Sequence, residues 1–297
     1  MHYPPEFHLP SPIEFVSHPA FEKAGIEVRI KRDDLIHPDV SGNKWRKLMY
    51  NVDHAVAQGH TTLLTFGGAY SNHIYATAKA CQLLGLKSIG IIRGNYFPKL
   101  SSTLTFAKAC GMELKFISKA QFDLRETDAF NKELAKERGN FYRIPEGGAN
   151  NLGVKGCTQI LEEVDWFFDT ILTACGTATT LSGLVLGLKP GQSALGISVL
   201  KDGGSLETFV ESQVGKARSD WEILHEYAGK GYAKVDDNLH RFKQEFEAET
   251  GIPLDFVYTA KLMQALINEV ERGRWKQGTR LLALHTGGLQ GNLGFSF

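Results

Sequence analysis

Ser41-Gly42-Asn43-Lys44-Trp45-Arg46-Lys47 is the stretch that decides the fold, because it places a lysine in the first turn of a predicted helix. Apolar residues continue at helical spacing as far as Val56, and Gly59 ends the pattern. Asn43 is a suitable N-cap, so Lys44 would lie beside free backbone amides and the positive end of the helix dipole. That position disfavours an ammonium group, and burial would disfavour it further. The stretch therefore predicts a neutral, nucleophilic amine of the kind that forms a Schiff base, with a solvated helix lysine as the ordinary alternative.

The composition indicates a globular protein that acts on a small molecule. A chain of 297 residues can form one large α/β domain or two smaller ones. Its 33 basic and 33 acidic residues are interspersed, which favours a small-molecule partner over nucleic acid or a membrane surface. The four cysteines form no CxxC pair, and neither a signal peptide nor a membrane span is evident, so we expect a cytoplasmic protein. The ten histidines lack HExxH or similar spacing, so no metal site is expected.

Predicted strands and helices alternate along most of the chain. The strands are predicted at residues 26–32, 61–66, 88–92, 113–117, 141–144, 170–174, 194–200 and 280–285. Helices beyond the Lys44 helix are predicted at residues 72–84, 102–110, 120–138, 153–163, 179–188, 205–215, 236–250 and 260–272. This alternation indicates an α/β fold with twisted, mainly parallel sheets flanked by helices. The glycine-rich loop at 147–153 suggests a small inserted α/β domain of residues 47–150 within a large cofactor-binding domain made of residues 1–46 and 151–297.

Two loops follow predicted strands at the sheet edge where ligands bind in such folds. In the first, Gly67 and Gly68 let the backbone approach a ligand, while Ser71 and the helix-start amides can hold a carboxylate. The second begins a helix with small and hydroxyl-bearing residues that suit a phosphate monoester: Gly176, Thr177, Ala178, Thr179 and Thr180. Neither loop is GxxxxGK[ST] or GxGxxG, which disfavours a nucleoside triphosphate or a dinucleotide. Ordinary turns and helix caps are the alternative for both loops.

Two more polar residues lie at element ends. Tyr258 precedes the predicted helix at 260–272 and is either a core aromatic or a proton carrier. Thr286 follows the last predicted strand and could direct its hydroxyl into the same crevice. Together with a nucleophilic lysine, a phosphate cradle and a carboxylate-binding helix start, these residues suit pyridoxal 5′-phosphate acting on an amino acid.

On these residues the chain resembles the 1-aminocyclopropane-1-carboxylate deaminase/D-cysteine desulfhydrase family of fold-type II, tryptophan synthase β-like pyridoxal phosphate enzymes. The matching motifs lie at residues 31–35, 41–44, 67–73, 144–148, 176–180, 257–259 and 285–288. The resemblance implies a fold-type II architecture, pyridoxal 5′-phosphate as cofactor, a small amino-acid substrate and a homodimer.

The resemblance also assigns roles to individual residues. Lys44 would form the Schiff base, Asn72 would hold the cofactor's phenolic oxygen, and Thr286 would face its pyridine nitrogen. The phosphate would lie on Gly176, Thr177, Ala178, Thr179 and Thr180. The substrate would meet Ser71, Asn72, His73, Tyr258 and Thr259. Lys44, Ser71 and Tyr258 would be the catalytic residues, and any of these three could be the principal base.

Thr259 and Thr286 stand where the deaminase branch of that family has Glu and Leu. Without a carboxylate at the pyridine nitrogen the ring is a weaker electron sink, which suits loss of a good leaving group better than opening of a cyclopropane. The pattern therefore looks like the desulfhydrase branch, in which D-cysteine yields pyruvate, ammonia and hydrogen sulfide. Aminocyclopropane-carboxylate deamination is the alternative reaction, and a non-catalytic carrier or sensor of the cofactor is the alternative from another class. One departure from the family pattern is Ala178-Thr179, where that branch tends to have two glycines.

Overall fold

Strands and helices alternate along the chain in the computed structural model, which describes residues 6–96, 98–201 and 204–295. The strands are β1 (Ile13–Phe15), β2 (Glu27–Lys31), β3 (Thr62–Gly67), β4 (Lys87–Arg93), β5 (Glu113–Ile117), β6 (Tyr142–Arg143), β7 (Thr170–Cys175), β8 (Ser193–Ser198), β9 (Trp221–Leu224) and β10 (Arg280–Leu284). The helices are α1 (Pro19–Ala24), α2 (Asn43–Ala57), α3 (Asn72–Leu83), α4 (Ser102–Ala109), α5 (Lys119–Asp123), α6 (Asp128–Arg138), α7 (Asn151–Glu162), α8 (Thr179–Gly187), α9 (Ser205–Val214), α10 (Asp237–Thr250) and α11 (Thr259–Glu271).

The strands form two sheets, each covered by helices on both faces. One sheet has the order β1-β2-β10-β7-β8-β9, with only its β1–β2 pair antiparallel. Successive residues of β7 point to opposite sides, so Leu172 joins a core with α1, α10 and α11 while Ile171 joins a core with α7, α8 and α9. The second sheet has the order β5-β4-β3-β6 and is parallel throughout. The predicted α/β class with mainly parallel sheets is confirmed.

The two sheets draw on different parts of the chain. The four-stranded sheet uses strands between residues 62 and 143, whereas the six-stranded sheet uses strands from both sides of that segment. The predicted division into residues 47–150 and residues 1–46 with 151–297 agrees with this arrangement, and its boundaries stay a prediction. Among the described residues, none forms a helix that is both long and apolar enough to cross a membrane.

Several predicted elements differ from the structure. The strands β1 and β9 and the short helix α1 were not predicted, because each of them has few buried residues and so no clear apolar pattern. The predicted single helix at 120–138 is wrong, since two helices, α5 and α6, occupy this stretch. Thr127 caps a new helix there by accepting a hydrogen bond from the Phe130 amide, which ends the first helix at Asp123.

The start of α2 also differs from the prediction. Gly42 is the N-cap and makes no side-chain cap, while Asn43 is already helical and donates its side-chain amide to Thr180 Oγ1 at 2.8 Å. Gly42 has a φ of 65°, and a Cβ on it would overlap the carbonyl group of Thr286. Only glycine fits this junction, so α2 begins directly against the segment that follows β10.

A buried network of ion pairs fixes the other side of α2. Arg46 is fully buried and pairs with Asp33 at 2.9 Å and with Glu163 at 2.5 Å. Lys31 of β2 is buried as well, and its Nζ lies 2.6 Å from Glu163 Oε2. The guanidinium and the ammonium therefore share Glu163, and the network ties β2, α2 and the residue that follows α7 to one another.

Replacing Arg46 tests the contribution of this network. Arg46→Met should lower the free energy of unfolding by about 3–5 kcal/mol, because it leaves Asp33 and Glu163 buried with too few cationic partners. Arg241→Met is the matched control, since Arg241 is an exposed arginine of α10, and we expect a change of less than about 0.5 kcal/mol. Urea unfolding followed by circular dichroism measures both variants. An Arg46→Met protein as stable as the control would contradict this account.

Candidate active site

Lys44 lies in the first turn of α2. Its amine is directed toward the space between Tyr258 and the starts of α3 and α8, which is called the crevice below. Its Nζ is 3.1 Å from Asn43 Oδ1 and 5.8 Å from the centroid of the Tyr258 ring. Burial lowers the pKa of the Lys44 amine to about 7, and the nearby Lys47 ammonium adds to this effect. Asp255 acts in the opposite direction without cancelling it. A large share of this amine is therefore neutral at physiological pH, as the sequence predicted.

The predicted phosphate cradle is the start of α8. The first bond within that helix runs from the Ser182 amide to the Ala178 carbonyl, so the amides before Ser182 have no partner inside the helix. Ala178 has a φ of 53°, a left-handed conformation that is unusual for a residue with a side chain. A glycine would adopt this conformation without the strain. The loop and helix start offer an anion several amides at the positive end of a dipole.

The threonine hydroxyls of this loop have different partners. Thr177 and Thr179 hydroxyls lie 3.0 Å apart, and Thr177 Oγ1 also lies 3.4 Å from the amine of Lys47. The hydroxyl of Thr180, in contrast, accepts the hydrogen bond from Asn43 and so joins α8 to α2. The sequence predicts that Thr180 helps to hold the phosphate. Its hydroxyl accepts one bond from Asn43 and keeps its O–H, and its backbone amide belongs to the helix start, so this role stays a prediction.

Lys47 is a site residue that sequence analysis missed. It is 3% exposed and lies one helical turn after Lys44, so its ammonium reaches the loop at Thr177. Burial lowers its pKa. A cation beside the amides of α8 adds a point charge to the cradle. The spacing of three residues from Lys44 was the available signal in the sequence.

The start of α3 provides a second anion site. Ser71 is the N-cap, and its hydroxyl accepts a hydrogen bond from the Ile74 amide at 3.2 Å. The amides of Asn72 and His73 belong to the first turn and have no partner inside the helix. Asn72 Oδ1 accepts from Gln290 at 2.9 Å, and its side-chain amide nitrogen lies where a Cβ on Gly288 would have to be.

The ring of His73 is buried close to the two lysines. It is 2% exposed, and its Nε2 is 2.8 Å from Thr65 Oγ1. The Thr65 hydroxyl donates to the carbonyl of Ile144 at 3.0 Å, so it accepts from His73, whose Nε2 carries the proton. Burial and the two lysines hold the pKa of His73 well below its usual value. The predicted substrate contact of His73 stays a prediction, for its amide and for the Nδ1 atom of its ring, which is buried without a hydrogen-bond partner.

Tyr258 closes the crevice opposite Lys44. A Cβ on Gly176 would lie 3.1 Å from the Tyr258 ring, so the phosphate loop and the tyrosine are in close contact. Burial, with Tyr232 and Asp255 nearby, holds the pKa of Tyr258 well above 10. Tyr232 was not predicted: it comes from the loop after β9, and its hydroxyl lies 3.2 Å from that of Tyr258. The hydroxyl of Tyr258 is thus a proton donor at neutral pH.

Thr259 and Thr286 occupy different surroundings. Thr259 is 1% exposed, and its hydroxyl donates to Asp255 Oδ1 at 2.8 Å. The Asp255 carboxylate also accepts from the amides of Val257, Tyr258 and Thr259, so it caps α11 with all its hydrogen bonds inside this turn. The predicted contact between Thr259 and a substrate is therefore wrong, because the hydroxyl is committed to the cap. Thr286 is 6% exposed and adjoins α2 at Gly42.

Among the described residues, no group of three or more His, Cys, Asp or Glu side chains is placed to hold a metal ion. The crevice brings together two lysines, two tyrosines and two helix starts. These groups can bind two anions, hold a neutral amine between them and supply a phenolic proton.

Comparisons with known proteins extend over nearly the whole chain. Residues 7–287 match the family described as pyridoxal-phosphate dependent enzyme. A protein of Arabidopsis thaliana, named bifunctional D-cysteine desulfhydrase/1-aminocyclopropane-1-carboxylate deaminase, mitochondrial, is 34% identical over 311 residues, covering 96% of this chain and 77% of the relative. A crystal structure of an ACC deaminase homologue is 30% identical with a TM-score of 0.82, covering 97% of this chain and 92% of the other. A hydrogen sulfide-producing enzyme from Fusobacterium nucleatum is 15% identical with a TM-score of 0.69, covering 95% and 96%, and shares the fold.

The low pKa of Lys44 can be measured on the cofactor-free protein. Labelling by trinitrobenzenesulfonate requires the neutral amine, so labelling of Lys44 should rise with pH through a midpoint near 7. Lys47→Met removes the neighbouring positive charge and should move that midpoint up, toward the ordinary lysine value of about 10.4. The exposed Lys155 gives the control, because Lys155→Met should leave the midpoint unchanged. Peptide mapping assigns the label, and a wild-type midpoint near 10 would refute the account.

Proposed function

The chain belongs to the pyridoxal-phosphate dependent enzyme family, and on that premise we propose that it is a lyase that performs α,β-elimination on a small D-amino acid. With D-cysteine the overall reaction is D-cysteine plus water giving pyruvate, ammonia and hydrogen sulfide, in which the C–S bond breaks and the sulfur leaves as thiolate. The observation that carries the proposal is the Lys44 amine, with a pKa of about 7, between the α8 helix start and Tyr258.

The residues of the crevice fit the cofactor of this family. The amides before Ser182 and the ammonium of Lys47 would hold its phosphate, and Lys44 would be its covalent attachment point. The side-chain amide of Asn72, next to Gly288, would meet its phenolic oxygen, while Thr286 would lie toward its ring nitrogen. When bound, pyridoxal 5′-phosphate withdraws electrons from the α-carbon of an attached amino acid.

Protein groups then supply binding and proton transfer. The Ser71 hydroxyl and the amides of Asn72 and His73 would bind the substrate carboxylate at the start of α3. Lys44, with its pKa near neutrality, is the group best suited to take the α-proton, and Ser71 remains a candidate. Tyr258 is a poorer base, because its raised pKa keeps it protonated. Its hydroxyl would instead donate to the departing group.

The threonines support elimination over ring opening. The carboxylate closest in sequence to Thr259 is that of Asp255. Its oxygens already accept the hydrogen bonds of the α11 cap, so neither is free to bind a proton on the cofactor ring. Thr286 offers a neutral hydroxyl. A leaving thiolate removes the developing negative charge, whereas opening of a cyclopropane leaves more of it on the α-carbon. The Arabidopsis relative is named for both activities, so aminocyclopropane-carboxylate deamination remains the second candidate.

Two further properties complete the proposal. A cytoplasmic location is supported by the four cysteines, none of which forms a disulfide. A homodimer follows from the resemblance alone, and sedimentation velocity of the holoenzyme would distinguish it from a monomer. A carrier that has lost turnover is disfavoured, because the tyrosine, the serine and the low-pKa lysine are all in place.

Substrate choice tests the proposed function. The holoenzyme should release keto acid from D-cysteine and from β-chloro-D-alanine, and little or none from 1-aminocyclopropane-1-carboxylate. Keto-acid release coupled to lactate dehydrogenase or a hydrazone assay measures all three. L-cysteine under the same conditions is the control for configuration.

A pair of substitutions makes the comparison sharper. Thr259→Glu with Thr286→Leu should shift the ratio of the two activities toward ring opening, whereas Thr250→Ser, at the end of α10, should not change it. Wild-type protein that opens the cyclopropane as readily as it eliminates from D-cysteine would refute the assignment. Inactivity on every amino acid tested would favour the carrier.

A further inference from the structure

Lys261 is a buried lysine of α11 that takes no part in the steps above. It is 3% exposed, and its Nζ donates hydrogen bonds to three backbone carbonyls. The distances are 2.9 Å to Ala228, 3.1 Å to Gly231 and 3.3 Å to Val199. An ammonium has three N–H groups, so these carbonyls accept all of them, while a neutral amine would direct its lone pair at one of the oxygens. The three carbonyls therefore favour the ammonium form of Lys261, while burial lowers the pKa of its amine.

The three carbonyls belong to two segments that the lysine joins. Val199 follows β8, whereas Ala228 and Gly231 lie in the loop between β9 and α10. Within that loop the Gly231 amide donates to the Ala228 carbonyl, and the Lys234 amide donates to the Gly231 carbonyl. Lys261 thus binds two successive turns of the loop and fixes them against the six-stranded sheet.

The backbone of this loop has an irregular conformation after Ala228. Residues 229–236 form neither helix nor strand, and Gly229, Gly231 and Ala233 all have positive φ values of 60°, 114° and 53°. Ala233 in a left-handed conformation has to be held there by its surroundings. The Tyr227 hydroxyl donates to Glu269, but that bond secures the loop before Ala228.

Tyr232 lies in the middle of this segment. Its side chain is 48% exposed, and its hydroxyl meets that of Tyr258 in the crevice. Tyr258 and Lys261 are three positions apart and so share one face of the first turn of α11. One helix turn therefore carries both the active-site tyrosine and the lysine that holds the partner of that tyrosine.

We propose that Lys261 is a positioning residue, which holds Tyr232 against Tyr258 by fixing the carbonyls of Ala228 and Gly231. The effect on turnover rests on the proposed function, whereas the effect on the loop does not. The two can therefore be tested separately on the same variants.

Hydrogen exchange of the holoenzyme tests the effect on the loop. Lys261→Met keeps the length of the side chain and removes its charge and donors. We expect amide exchange in residues 229–234 to accelerate on the order of tenfold, because the loop loses its link to the sheet. Lys234→Met is the matched control, since Lys234 belongs to the same loop and is exposed. Unchanged exchange in Lys261→Met would overturn the proposal.

Kinetics with a double variant tests the link to Tyr232. Lys261→Met should lower kcat for keto-acid release from D-cysteine by about 100-fold, the size expected for misplacement of an active-site group, with a smaller change in KM. In a Tyr232→Phe background, Lys261→Met should lower kcat by less than about twofold, because the hydroxyl that Lys261 positions is already absent. If the loss of kcat in the double variant equals the product of the losses in the two single variants, the lysine acts independently of Tyr232, and the proposal is overturned.

The two proposals fail in different ways. If the wild-type holoenzyme released no keto acid from any amino acid, the proposed function would fail, and hydrogen exchange alone would decide the role of Lys261. If Lys261→Met does not fold, Lys261→Gln, which keeps two N–H donors, replaces it in both comparisons with smaller effects of the same sign.

Discussion

The buried pairing of Arg46 with Asp33 and Glu163 is the interaction on which the rest of the site depends. Arg46 follows Lys44 by two residues and precedes Lys47 by one, so the network fixes the turn of α2 that carries both lysines. A buried arginine is costly unless both its partners are present, which gives this helix one stable position. The site is then built on a rigid element whose two cations face away from the network.

Two uncompensated lysines in one crevice define its chemistry. Lys44 and Lys47 are three residues apart, and neither forms a hydrogen bond or an ion pair with a carboxylate in the described part of the chain. Burial lowers the pKa of both amines, and the charge of Lys47 lowers that of Lys44 further, so the pair favours a neutral amine and an incoming anion. The helix starts of α8 and α3 add amides for two anionic groups. The phosphate and the substrate carboxylate of the proposed function would meet these needs.

The sequence predicted those helices and strands whose formation depends on interactions between residues close together in the chain. Hydrophobic period and glycine breaks located most strands and helices, and the loop at Gly176 was recognisable from its residue types alone. The elements β1, β9 and α1 escaped, because tertiary contacts rather than a local pattern hold them.

Candidate site residues could be proposed from the sequence where a motif contained them. Tyr232 and Lys261 were missed because their roles depend on a contact between the loop after β9 and the first turn of α11. The spacing of residues along the chain does not predict such a contact. The partners of Asn43 and Thr259 were also predicted wrongly. Asn43 bonds to Thr180, which is far away in sequence, and the hydroxyl of Thr259 bonds to Asp255 within the α11 cap.

The most direct test of the central claim is to locate the covalent bond. Holoenzyme reduced with borohydride and digested should yield a single peptide carrying a pyridoxyl group, and that group should be on Lys44. The account predicts that Lys44→Ala protein yields no such peptide under the same conditions. A pyridoxyl group on Lys47 or Lys31 in the wild-type protein, or one that persists in Lys44→Ala, would contradict it.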